Sequence, residues 1–113
     1  MAESRFHYRD FSRFHRPIDK TMTFEKKVAV EVTFRRGKAL AAYYYLPRRP
    51  RERSHRTRRV EPGLVIDFSA DGRPIGIEIL APEKLTLSAF NRVLRTLGLP
   101  PLKRADLAPL MAA

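Results

Sequence analysis

Cysteine and tryptophan are both absent from the 113 residues, and the five glycines are scattered, never grouped. Without cysteine there is no disulfide, no thiolate chemistry and no Cys-based zinc site, so redox enzymology is not expected and a reducing cytoplasm is the expected setting. Isolated glycines do not make a phosphate-cradling loop, so no cofactor site is expected. No apolar run approaches the ~20 residues that span a bilayer, and the start MAESRFHYRDFSRFHRP lacks the apolar core of a signal peptide. The three histidines, His7, His15 and His55, fall in segments expected to be flexible, which offer no fixed geometry, so neither a metal centre nor a catalytic triad is expected.

Positive charge is present in excess. The net charge is +11, from 23 basic and 12 acidic residues. Its distribution is uneven: residues 48–59 carry seven arginines and one glutamate, whereas residues 60–113 hold six bases and six acids. That stretch, RRPRERSHRTRR, has no apolar residue apart from Pro50 and repels itself as a compact element. It reads as a mobile, solvated loop in which Arg48, Arg49, Arg51, Arg53, Arg56, Arg58 and Arg59 are candidate nucleic-acid contacts. With no apolar side and no lipidation motif, it is not expected to bind a membrane.

The order along the chain is that of a single small domain. Residues 1–21 mix arginines with Phe6, Tyr8, Phe11 and Phe14 and show no clean period. They read either as an arm without fixed structure or as sequence ahead of a true start at Met22. From Lys26 the pattern alternates, with Val28, Val30, Val32 and Phe34 on one face, as in a half-buried strand. Arg35-Arg36-Gly37-Lys38 turns the chain into a second strand, Ala39 to Leu46. Val60 and Pro62-Gly63 lead into a third strand, Leu64 to Phe68, and Pro74 to Leu80 is the fourth.

Between the last two strands lies Asp71-Gly72, a pair suited to a turn because Asp bonds its local backbone and Gly accepts positive φ. Alternation puts Ile66, Phe68, Ile75, Ile77 and Ile79 on the core face and Asp67, Gly76 and Glu78 on the other. Two carboxylates on one face could serve as acid and base, but polar-out alternation alone gives the same placement. Asp67, Asp71, Gly72, Gly76 and Glu78 are therefore read as structural residues of the hairpin.

After Pro82 the period becomes helical through Leu87, Phe90, Val93, Leu94 and Leu97, with Thr86 or Ser88 as the start cap and Gly98 at the end. No second helix of comparable quality follows Pro100-Pro101, which weakens a helix-turn-helix reading. The expected architecture is α+β: an antiparallel sheet of about four strands in two hairpins, covered by one C-terminal helix. It spans residues 22–99, with 100–113 as a tail.

The segments ALAAYYYLP, Val60-Glu61-Pro62-Gly63 and GLVIDFSADGRPIGIEIL together resemble the small bacterial YuzE-like domain of unknown function. The shared hairpin has the form D-x-x-x-D-G-x-x-x-G-I-E-I-L, matched by Asp67, Asp71, Gly72, Gly76, Ile77, Glu78, Ile79 and Leu80. The resemblance covers about residues 22–99. It departs at the arginine insert 48–59 and at the N-terminal arm. It implies a compact α+β domain, no known reaction and no catalytic residue. Because some such domains are regarded as antitoxin-like partners of a small toxin, it also implies protein binding.

Two functions are thus expected ahead of catalysis. One is a protein-interaction or antitoxin-like role, with a small protein or a second copy of the chain adding to a sheet edge such as Val28 to Phe34. The other is non-specific DNA or RNA binding through the arginine segment.

Overall fold

The computed structural model describes the backbone of residues 5–9, 20–25 and 29–111, and the side chains of residues 29–108 and Leu110. Seven strands form one antiparallel sheet: β1 Arg5–Arg9, β2 Lys20–Glu25, β3 Ala29–Arg35, β4 Lys38–Tyr45, β5 Arg56–Glu61, β6 Leu64–Phe68 and β7 Pro74–Ile79. Their spatial order is β1-β2-β3-β4-β7-β6-β5. A 3-10 turn at Pro82–Lys84 leads to helix α1, Leu87–Thr96. A second 3-10 turn, Arg104–Leu107, runs directly into the short helix α2, Ala108–Met111.

The β3–β4 hairpin closes with a two-residue loop in which both Arg36 and Gly37 take positive φ, 52° and 78°. That geometry matches the twist of the flanking strands. The β6–β7 hairpin turns through residues 69–73, with Gly72 at φ 87° and the Ser69 and Arg73 backbones bonded across it. The two hairpins join where β4 pairs with β7, placing Tyr43 opposite Glu78 and Tyr45 opposite Gly76.

Alternation sorts the side chains into two faces. Val30, Val32, Phe34, Ala42, Tyr44, Leu46, Leu64, Ile66, Phe68, Ile77 and Ile79 form the core face. Helix α1 covers it with Phe90, Val93 and Leu94. Thr86 caps the helix by accepting a 3.1 Å bond from the Ala89 backbone N–H, and Gly98 ends it at φ 74°. The Tyr44 ring meets Phe90 edge-on at 5.1 Å between centroids. Each such large side chain, once buried, contributes about 1.5–3 kcal/mol.

Three expectations are corrected. The sheet has more than about four strands, because the arginine segment supplies β5 and the N-terminal side supplies β1 and β2. Segment 48–59 is not a mobile loop throughout: Arg56–Arg59 pair with Val65–Phe68, an edge-strand role that needs only backbone hydrogen bonds and leaves charged side chains in water. And β3 is not an edge, since β2 pairs along it from Lys20↔Phe34 to Glu25↔Ala29.

Of the arm at 1–21, β1 and the start of β2 belong to the sheet, while residues 1–4 and 10–19, including His15, lie outside the described residues. The C-terminal segment packs as part of the domain: Leu107 and Leu110 are both buried in the core cluster. Asn91 fastens it with two bonds to Leu102, accepting from the backbone N–H at 2.8 Å and donating to the carbonyl at 3.1 Å. No helix among the described residues is long and apolar enough to cross a membrane.

Candidate functional site: the arginine edge and the open face of the sheet

The face of the sheet opposite α1 carries a polar cluster built from both hairpins. Tyr43 on β4 donates a 2.8 Å hydrogen bond to Asp67 Oδ2 on β6. Its phenol lies over Gly76, the residue between them in the sheet, where a Cβ would collide with the hydroxyl and the ring. Arg48, just past the end of β4, turns back over this pair. Its Nη2 donates to the Tyr43 hydroxyl at 2.9 Å and to the Ile75 carbonyl at 2.7 Å. The guanidinium also stacks near the rings of Tyr43 and Tyr45, 5.7 and 5.2 Å from their centroids. Arg48 Nε is buried with no partner among the described residues.

Burial, chiefly, and the bond to Asp67 push the Tyr43 hydroxyl well above its ordinary value of 10.0, with Arg48 opposing. A proton held that tightly is unsuited to acid–base work near neutrality. The cluster therefore has the character of a lock between hairpins. Glu78, also on this face, stands between Tyr43 and Val65 in the ladder. Among the described residues, no group of three or more His, Asp or Glu side chains comes together to hold a metal ion.

Beyond Arg48 the chain makes a tight turn from Arg49 to Glu52, with Arg51 at φ 64°. Glu52 anchors this turn: its carboxylate accepts from the Arg49 backbone N–H at 3.1 Å and pairs with the Arg73 guanidinium. Arg73 also bonds Asp71 at 3.1 Å through Nε. Asp71 stays in the ordinary φ range while Gly72 takes the left-handed conformation, so its work in the turn is to accept bonds from the Ser69 hydroxyl and Arg73. Those bonds hold its carboxyl down to about 2. The turn after β4 is thus fixed to the β6–β7 turn. His55 is exposed, and its backbone N–H bonds the Phe68 carbonyl at 2.8 Å, starting the pairing of β5.

The seven candidate arginines separate by partner. Arg48 is taken up by Tyr43 and Ile75, and Arg49 lies 3.8 Å from Asp71. Arg56 rests on the Phe68 ring at 5.1 Å. The guanidinium groups of Arg51, Arg53, Arg58 and Arg59 are exposed and make no ion pair or hydrogen bond among the described residues. Glu61, at the end of the same strand, is bound at 2.7 Å by Arg92 of α1. Between β5 and α1 runs a groove of about 400 Å³ whose lining includes Arg58, Arg59, Val60, Val93 and the Glu61–Arg92 pair. Sequence reasoning singled out the arginines by their density but missed that Arg58 and Arg59 sit on a strand, and it missed Tyr43 as the partner of Asp67 and Arg48 as the partner of Tyr43.

Residues 41–81 match a family described as a protein of unknown function, DUF2283. The match runs from β4 through β7, so it takes in the Tyr43–Asp67–Gly76 lock and the whole arginine segment. No curated protein and no solved structure matches the chain.

Proposed function

We propose that this protein is a non-catalytic binding module, a protein-interaction or antitoxin-like domain of the YuzE-like kind, acting in the cytoplasm and receiving a small protein partner along β5. One observation carries the reading. β5 is the last strand of the sheet, without a neighbour on its outer side among the described residues, and its Arg58 and Arg59 are free of carboxylates. A strand edge of this kind can be extended by another chain, and unneutralised arginines select an acidic one. The same charges oppose a homodimer through β5, because like charges placed opposite each other destabilise a strand pair. The lock on the open face supports a binding role over an enzymatic one, since its tyrosine and carboxylate are committed to each other.

Nucleic acid is the second reading, supported by the exposed Arg51, Arg53, Arg58 and Arg59, which suit phosphates. An affinity pull-down of the tagged protein from its host, with and without nuclease, separates the two. A stoichiometric small protein that survives nuclease and is lost from Arg58→Glu/Arg59→Glu supports the first reading. Companions that leave on digestion overturn it in favour of the second. Recovery unchanged by the double variant overturns β5 as the docking edge.

A further inference from the structure

We infer that the segment docking on β5 is an extended strand with carboxylates at alternate positions, added to the sheet as an eighth strand. This rests on the reading of β5 as the docking edge and specifies what that edge accepts.

Register supplies the pattern. Arg56 stands opposite Phe68 and Arg58 opposite Ile66, both core-face residues, so these two arginines share the helix side of the sheet. Thr57 stands opposite Asp67 and Arg59 opposite Val65, on the open side. Alternate residues of a strand lie roughly 6.5–7 Å apart, and an added strand carries the same repeat and the same alternation of faces. Its residues beside Arg56 and Arg58 are therefore two apart and both acidic. The residue between them meets the Thr57 hydroxyl, and the residue beside Arg59 is acidic on the other face. The docking motif reads acid-x-acid-acid along β5, in the order set by the direction of the incoming strand. The register shift between Arg59 and Glu61 marks where this pairing ends.

The surroundings prepare the helix side for such a strand. The Arg56 guanidinium lies on the Phe68 ring, which limits its freedom before any partner arrives. Arg58 borders the groove toward α1, where Val60 and Val93 offer an apolar floor to the stem of a glutamate. Arg92 is already paired with Glu61, so the charge open to a partner is that of Arg56 and Arg58. A phosphate chain would meet the same charges but leave the outer N–H and C=O groups of β5 without partners. Phe68, the ring beside this edge, lies under Arg56 and is not presented for base stacking.

The test is an NMR titration of the full-length protein with three probes: a short peptide alternating glutamate with threonine and valine, the same peptide N-methylated at alternate residues, and a short DNA duplex. The unmodified peptide is expected to shift the β5 amides that do not bond β6 and to slow their exchange. N-methylation is expected to weaken it about tenfold or more, and Arg58→Gln to do the same, through loss of one charge-assisted contact. Unchanged β6 and β7 amide shifts show that the variant is folded. Equal binding of the N-methylated peptide, no binding of the unmodified one, or stronger shifts of the same amides by the duplex would each overturn strand addition. The docking-edge reading survives those outcomes if the pulled-down protein still depends on Arg58 and Arg59. It fails separately if that protein does not.

Discussion

The phenol of Tyr43 lies across the α-carbon of Gly76, filling the space that any side chain at that position would need. Glycine ordinarily weakens a strand, yet here it lets a tyrosine from the neighbouring hairpin reach Asp67 beyond it. Gly76→Ala is therefore expected to destabilise the protein by about 1–3 kcal/mol, the usual cost of overpacking. The cost should shrink in a Tyr43→Ala background, because the clash is gone. Chemical denaturation of the two single variants and the double variant measures this coupling. A full cost that persists without Tyr43 would place the strain elsewhere.

Tyr43 also sets an alkaline limit. Its folded-state value lies above its ordinary value of 10.0, so the unfolded chain loses that proton first as pH rises. The associated stability is fully present below pH 10 and declines as pH rises from there toward the folded-state value. Tyr44 is raised as well, by burial and then by the Asp106 charge. Tyr43→Phe is expected to cost about 1 kcal/mol at neutral pH through the lost hydrogen bond. It should also flatten part of the alkaline decline, leaving the share due to Tyr44. Stability measured at several pH values between neutrality and the alkaline limit checks both effects.

What was legible in the sequence follows from what each element depends on. β3, the β6–β7 hairpin and α1 announce themselves because their apolar residues repeat with the period of the element, and the turns between them use Gly37 and Gly72. β5 could not be read this way. Its residues RTRRVE carry almost no apolar pattern, and the strand exists because β6 offers a backbone ladder, a fact of tertiary pairing. Asp67 and Gly76 could be placed on the open face by alternation alone. Their common partner Tyr43 required the register between β4 and β7, which no local pattern specifies. Likewise Leu107 lies beyond Pro100-Pro101 in a stretch too short for a period, so its place in the core was not visible.

An acid-side effect belongs to the turn between β6 and β7. Asp71 is held at about 2, below its ordinary 3.8, first by the Ser69 hydroxyl and then by Arg73. Its contribution is therefore present above pH 3.8 and is lost as pH falls toward 2. Because the carboxylate is exposed to solvent, the effect is small. Ser69→Ala is expected to move the Asp71 titration upward toward 3.8, followed by NMR of its side-chain carbon. An unmoved titration would assign the depression to Arg73 instead, and Arg73→Gln would then shift it.

Leu107 decides whether the C-terminal segment is a tail or a wall of the domain. Its side chain is fully buried in the cluster that also holds Phe90 and Leu94, and the chain reaches it only after Asn91 has pinned Leu102 from both sides. Leu107→Ala should then cost about 2–5 kcal/mol, the range for a leucine removed from a packed core. Asn91→Ala leaves the Leu102 N–H and C=O without their partner and should cost about 1–3 kcal/mol. If the segment docks as one unit, the double variant costs less than the sum, because releasing Leu102 already frees Leu107. Denaturation midpoints of the three variants provide the comparison. A near-neutral Leu107→Ala would mean that the segment contributes little to the core, and strict additivity would mean that Asn91 does not position it.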